Sequence, residues 1–481
     1  MTKKTTSTKK TKISLFLAIL VFLVFFAFLV FPKSCNLPLL PMTPPAVSAV
    51  VRPEISLLGI LGYALVAFAV VLVLTPWFVS FLRKNNVGKQ LRVETVDGKD
   101  PTIFRTYHQN KFGTPTMGGV LIWGSIFLTV FFSRILAALN LVDHSLYQRG
   151  QVYLPLFVLF TLGILGALDD YMNIVSSDDA RMLSAMRKIK KAVLASAVFL
   201  VPVGLYFLVG YLKSPPTQTT ISLNAGLVGV MVWYAFFLLI MILFVLSGAV
   251  LEDWLRRVLF GKKKTGGLGT LPKLLSLLVL SFIGALWFYY KLDISSIHVP
   301  YYGQVHLGLW YIPLFVFIVV GTSNAVNFTD GLDGLAGGLL VIAFSAFGVL
   351  AYVQGLFILS AFCAVCGGAI AAFLWHNVPP ALFFMGDTGS LALGGTLAVI
   401  AMMIDQALIL PLVGFVFVIE MLSVIIQLTS KKLRKGKKVF RAAPIHHHFE
   451  ALGWGESKVT MRMWIVGGFM ALLGVIVGLA A

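Results

Sequence analysis

Thirteen apolar runs decide what this chain can become. They lie at 13–31, 56–82, 118–138, 152–168, 192–211, 226–250, 272–290, 307–323, 336–354, 357–375, 389–404, 407–428 and 463–480. A helix of roughly 18–20 apolar residues crosses the ~30 Å hydrocarbon core of a bilayer. The alternation of polar and apolar residues that a membrane barrel requires is absent, so the spans are expected to be helices. The expected fold class is an all-α polytopic integral membrane protein. Composition agrees: of 481 residues, 58% are hydrophobic and 12% charged, against about 45–50% and about 25% in a soluble domain. No soluble domain of any size is expected. The first run follows Lys3, Lys4, Lys9, Lys10 and Lys12. It exceeds the roughly 7–15 apolar residues of a signal peptide and is expected to be a retained anchor. Cys363 and Cys366, inside an apolar run, read as small core residues.

Charge orients the spans. With the N-terminus inside, 32 of the 38 Lys and Arg fall on inner segments and six outside, the six being Lys33, Arg52, Arg134, Arg149, Lys213 and Lys291. Cytoplasmic loops carry the excess of Lys and Arg. The C-terminus is therefore expected outside. The net charge of +19 belongs to basic inner loops against a lipid bilayer, and no nucleic acid partner is expected.

Five polar segments then fall on the inner side. Ionisable groups beside a membrane core are functional candidates. Asp169 and Asp170 end the run at 152–168; neighbouring helical residues point about 100° apart, so the pair cannot simply share one proton face to face. In 321–336, Asn324, Asn327, Asp330 and Asp333 recur every three residues, a spacing that keeps neighbours on one face of a helix or 3₁₀ turn. Such groups suit a nucleoside or sugar edge, or a hydrated cation; Mg²⁺ takes one or two carboxylates plus water and phosphate oxygens. Prolines make 376–388 a loop, with Asn377, Phe384 and Asp387 in it. A basic run, 431–438, precedes His446, His447 and His448. Attraction to anionic lipid explains the run, and three consecutive histidines are not a zinc signature. Lys111 and Thr114 precede the run at 118–138; the stretch lacks the ending of a P-loop but suits phosphate contact. Together these segments point to phosphoryl-type transfer at the membrane surface. A transporter is the rival class, but its marks are repeats and midplane polar residues, and here the acids sit at inner helix ends.

Four motifs carry a resemblance: Gly-Thr-Pro-Thr-Met-Gly-Gly at 113–119, Asn-Ala-Val-Asn-Phe-Thr-Asp-Gly-Leu-Asp-Gly-Leu-Ala at 324–336, Phe-Met-Gly-Asp-Thr-Gly-Ser at 384–390 and Ala-Pro-Ile-His-His-His-Phe-Glu at 443–450. The chain resembles the phospho-N-acetylmuramoyl-pentapeptide transferases from about 56 to 480. The resemblance implies a bacterial inner-membrane enzyme with its active site on the cytoplasmic side. It would join UDP-N-acetylmuramoyl-pentapeptide to undecaprenyl phosphate with Mg²⁺, releasing UMP. The close alternative is a related transferase of another UDP-sugar. Carried over, Asp387 is the metal ligand. Asp169, Asp170, Asp387 and His446 are the catalytic set. Lys111, Thr114, Lys273, Asn327, Asp330, Asp333, Asn377, Phe384, Gln427, His447 and His448 match substrate-site positions, with Asn377 and Phe384 near the uracil. A homodimer is left open.

The family has ten spans, so three are extra here. The expected division is a basic tail and anchor with outside linker (1–55), then the transferase domain (56–480), interrupted by an insert at 174–266 carrying two spans. Asn173 stands where the family has lysine. Another family lysine aligns with Lys273 or with Lys188.

Overall fold

The computed structural model describes residues 55–85, 87–88, 113–138, 145–146, 150–175 and 270–480. The anchor, the two insert spans, Lys111 and Lys188 lie outside them.

Among the described residues, ten helices have 17 residues or more. They are α1 (Leu57–Lys84), α2 (Gly119–Ala138), α3 (Tyr153–Val175), α4 (Thr270–Leu286), α5 (Tyr311–Thr329), α6 (Leu335–Val353), α7 (Phe357–Asn377), α8 (Asp387–Met403), α9 (Phe415–Leu433) and α10 (Glu456–Ala480). The protein is an all-α polytopic membrane protein. Seven described helical segments are long and apolar enough to cross a bilayer. Two more, in α2 and α8, are apolar but shorter.

The helices follow the apolar runs, with instructive differences. The run at 407–428 breaks at Gly414 into the turn Leu410–Val413 and α9. α10 begins at Glu456, seven residues before its apolar run, because polar residues there bond to neighbouring loops. A six-residue helix, Ile445–Glu450, forms where only loop was expected. An antiparallel hairpin, β1 (Ser296–Val299) with β2 (Gly303–His306), was also not anticipated. Asp405 pins it, accepting from the His298 N–H at 2.9 Å and from the Gln304 side-chain amide. Burial raises the Asp405 carboxyl above its ordinary value, although both hydrogen bonds oppose this.

The chain divides into two compact units, Met1–Leu40 with Tyr171–Val279, and Pro41–Asp170 with Leu280–Ala481. In the first, the last turn of α3 and the first part of α4 are described. In the second, α8 is the central element, buried from Thr388 to Met402. It packs on α5 and α2, while α7 packs on α1 and α6. Small residues allow this closeness, as is usual where lipid gives helices no hydrophobic reason to associate. Two hydroxyls of α8 are satisfied by its own backbone and cap: Thr396 donates to the Ala392 carbonyl at 2.7 Å and Ser390 to the Gly386 carbonyl at 3.1 Å. α1 and α10 instead expose Leu58, Leu65, Val73, Ile465, Phe469 and Leu472, the apolar surface lipid requires.

Candidate active site

The site is built where α8 begins. Asp170, in α3, accepts the Asp387 N–H at 3.2 Å on Oδ1, and the Thr388 N–H at 3.1 Å and hydroxyl at 2.6 Å on Oδ2. A helix start has unsatisfied N–H groups, so a buried carboxylate there finds the donors it needs. The cap comes from a residue 217 positions earlier in the chain. Two glycines make room. A Cβ on Gly166 would lie 2.1 Å from the Asp387 carbonyl oxygen. Gly386 has φ +72°, and a Cβ there would lie 2.4 Å from Asp170 Oδ2.

The cap fixes Asp387 in the first turn of α8, half-exposed. Asn327, near the end of α5, donates from Nδ2 to Asp387 Oδ1 at 3.0 Å. Asp169 is buried beside Asp170. Asp330 ends α5 as its C-cap and is half-exposed. The row from Asn324 to Asp333 does not stay on one face. Asn324 bonds back to the Val320 carbonyl, and the chain turns after Asp330. Asp333 is then carried to another loop, where its Oδ2 accepts the Ala381 N–H at 2.9 Å.

The loop from Asn377 to Gly386 is braced on several sides. Asn377 Oδ1 accepts the Gly334 N–H at 3.0 Å, and its Nδ2 donates to the Phe383 carbonyl at 2.9 Å. Glu456 Oε1 accepts the Asp333 N–H at 2.7 Å, and the Thr460 hydroxyl donates to the Asp333 carbonyl at 3.3 Å. The segment holding Thr114 joins through main-chain bonds. Phe384 N–H donates to the Pro115 carbonyl, and Gly118 N–H to the Phe384 carbonyl, both at 2.8 Å. Phe384 is half-exposed. Lys273 lies in the first turn of α4, in the first unit.

The histidines are anchored individually. His446 Nδ1 lies 3.0 Å from Glu420 Oε2, with both side chains buried. His447 Nδ1 lies 2.6 Å from Glu450 Oε2. His448 Nδ1 accepts the Arg441 N–H at 3.1 Å. Gln427, buried on α9, accepts the Val439 and Phe440 N–H groups at 3.0 Å each and donates to the Phe440 carbonyl at 2.9 Å. It ties the end of the basic loop to the helix. Glu420 and Glu456 escaped the sequence reading, and Glu450 entered it only as the last residue of the histidine motif. Glu420 had a signal: it is an acid within an otherwise apolar run, which in a membrane helix is costly unless paired.

Side-chain bonds thus join Asp170, Asp387 and Asn327, and Asp333, Asn377 and Phe384 are tied into the adjoining loop, with Thr114 next in sequence to the Pro115 that meets Phe384. The helix-start acid with an amide beside it, framed by glycine loops, can meet a cation or an anionic ester.

Comparison with known proteins agrees. Residues 234–405 match the family model for glycosyl transferase family 4, a match that opens inside the stretch expected to be an insert. Residues 111–122 match signature 1 of the phospho-N-acetylmuramoyl-pentapeptide-transferases. Proteins named phospho-N-acetylmuramoyl-pentapeptide-transferase align over most of the chain. The one from Chloroflexus aurantiacus is 34% identical over 425 residues, covering 86% of this chain and 87% of its own. The one from Bacillus thuringiensis is 33% identical over 420 residues, covering 87% and 98%. Fold and site define a multi-pass membrane glycosyl-1-phosphate transferase. The chain belongs to the phospho-N-acetylmuramoyl-pentapeptide-transferase family.

Proposed function

We propose that this chain transfers phospho-N-acetylmuramoyl-pentapeptide from its UDP-activated form to undecaprenyl phosphate. The observation that carries the reading is the 34% identity across 86% of the chain to enzymes of that name. The mutual arrangement of Asp170, Asp387 and Asn327 supports it. An oxygen of the lipid phosphate attacks the phosphorus that bears the sugar. The bond from that phosphorus to the bridging oxygen breaks, and its electron pair leaves on UMP. The product is the diphosphate-linked lipid.

Both reactants are anionic, so the site must offset their repulsion. Mg²⁺ is the proposed cofactor. Among the described residues no group of three or more His, Cys, Asp or Glu could cage a metal. Asp387, with Oδ1 held by Asn327, nevertheless fits the partial donor set of an ion that leaves positions for water and phosphate. When bound, the ion neutralises charge on the phosphates. Asp170 acts through Asp387 by capping α8. Asp169 stands beside Asp170 in the last third of α3, and Asp330 and the histidine turn stand around the substrate phosphates. Asn377 and Asp333 hold the loop that presents Phe384, whose ring suits stacking on a base.

The charge split supports a cytoplasmic face for this site, and the bacterial source of the relatives supports an inner membrane for the protein. The test is UMP release by purified protein given UDP-N-acetylmuramoyl-pentapeptide and undecaprenyl phosphate, with and without chelation of Mg²⁺. UDP-N-acetylglucosamine in place of the peptide-bearing donor should give no product. Equal turnover of both donors would reject the substrate assignment.

A further inference from the structure

The chemistry assigned to the acids leaves one buried pair unexplained. Glu420 is 0% exposed and His446 is 1% exposed, and they meet at 3.0 Å through Oε2 and Nδ1. The His446 backbone N–H also approaches Oε2, at 3.4 Å. Glu420 Oε1 and His446 Nε2 are both buried with no hydrogen-bond partner among the described residues. Burying polar atoms without partners is costly, so an arrangement retaining two of them calls for a reason. The unpartnered Nε2 has a definite neighbour. A Cβ added to Gly331 would lie 2.4 Å from it and 2.8 Å from Cε1. Gly331 directly follows Asp330 in the turn that ends α5.

The hydrogen bonds also decide proton positions. A carboxylate accepts, so the Nδ1 of His446 carries the proton, and in the neutral ring the Nε2 lone pair faces the Gly331 turn. His447 is held the same way by Glu450. His448 is the opposite case: its Nδ1 accepts from the Arg441 N–H, so its Nε2 carries the proton. With Glu420 and Glu450 as ionised acceptors, the three partners assign one tautomer to His446 and His447 and the other to His448.

Resting on the proposed transfer reaction, we propose that Glu420 is a positioning residue: it holds the ring of His446 as the Nδ1–H form against Gly331, and so sets the turn that carries Asp330. Glu420 touches no reacting atom. It acts through His446, whose ring is the spacer between α9 and the end of α5. The pairing spans 26 residues and joins the histidine turn to a membrane helix, so loss of Glu420 frees the ring to rotate and the turn to shift. Carboxylates that orient a functional imidazole are worth about 10- to 100-fold where their removal has been measured at metal sites, and a loss of that size is expected here.

Four variants and one spectroscopic readout test this. Histidine-labelled ¹⁵N spectra, with His446→Asn for assignment, should show Nδ1 protonated in the wild type and in Glu420→Gln, whose side-chain oxygen still accepts. Glu420→Ala should lose that signature, and its kcat for UMP release should fall about 10- to 100-fold with KM for the UDP donor little changed. Glu420→Gln should recover most of the kcat. Should Glu420→Ala not fold, Gly331→Ala probes the same contact from the other side, and its kcat should fall while His446 stays in the Nδ1–H form. An Nε2–H form in the wild type, a Glu420→Ala enzyme with wild-type kcat, or a Glu420→Gln enzyme as impaired as Glu420→Ala would overturn the proposal. The spectra need no substrate, so a wild type silent on this UDP donor would refute the proposed function without touching the tautomer assignment.

Discussion

Asp170 caps the helix that Asp387 begins: one carboxylate oxygen accepts the Asp387 N–H and the other accepts the N–H and hydroxyl of Thr388. The two acids are therefore not equivalent partners. One is consumed in fixing the backbone that aims the other, which Asn327 then orients through Oδ1. Of the aspartates that the resemblance names as catalytic, Asp170 is taken up by the cap and Asp387 is left half-exposed beside Asn327.

Asp170→Asn should lower stability by about 1–3 kcal/mol, because its amide turns a donor toward backbone N–H groups that need an acceptor. UMP release should fall with it. Thermal unfolding in detergent alongside the activity assay checks both. A variant with wild-type stability and activity would show that the cap is dispensable.

Gly386→Ala should be more damaging than an ordinary loop substitution. The residue has φ +72°, and its new Cβ would approach Asp170 Oδ2 to 2.4 Å and Thr116 Oγ1 to 3.0 Å. Strain of about 1–3 kcal/mol is expected from the backbone conformation alone. A folded, fully active Gly386→Ala protein would contradict the geometry of the cap.

The spans that fall on described residues were legible because a bilayer imposes a length and an apolar content that few other constraints override. The glycine- and Asx-rich loops were legible because they are wasteful in a mere turn. Two kinds of relationship were not. Asp170 finds its partner 217 residues away, and the three-residue spacing of Asn324 to Asp333 suggested a shared face that the turn after Asp330 breaks. Glu420 carried a signal as an acid within an apolar run, but its partner did not: only the tertiary fold brings it to His446. The β1–β2 hairpin depends on Asp405, whose two bonds cross the chain from the far side of four helices.

Gln427→Ala should loosen the segment before the histidine motif, since one side chain accepts two N–H groups and donates to a carbonyl there. Hydrogen exchange at Val439 and Phe440 should rise, with about 1–3 kcal/mol lost if the groups stay buried. Unchanged protection at both amides would show that Gln427 does not hold this loop.

Orientation follows from the 32-to-6 division of Lys and Arg. A single cysteine placed within 431–438 of a chain whose Cys35, Cys363 and Cys366 are replaced should resist an impermeant thiol reagent in intact cells and react after permeabilisation. Efficient labelling in intact cells would reverse the topology and remove the cytoplasmic site with it.

The most direct measurement is UMP release by the purified wild type and by Asp387→Asn, across a Mg²⁺ titration, with UDP-N-acetylmuramoyl-pentapeptide and undecaprenyl phosphate. The wild type should turn over and depend on Mg²⁺. Asp387→Asn should stay folded and lose activity at every Mg²⁺ concentration, since removing the carboxylate costs several kcal/mol of charge stabilisation, of order 2–4. Near wild-type turnover by Asp387→Asn at ordinary Mg²⁺ would contradict a reaction centred on that carboxylate.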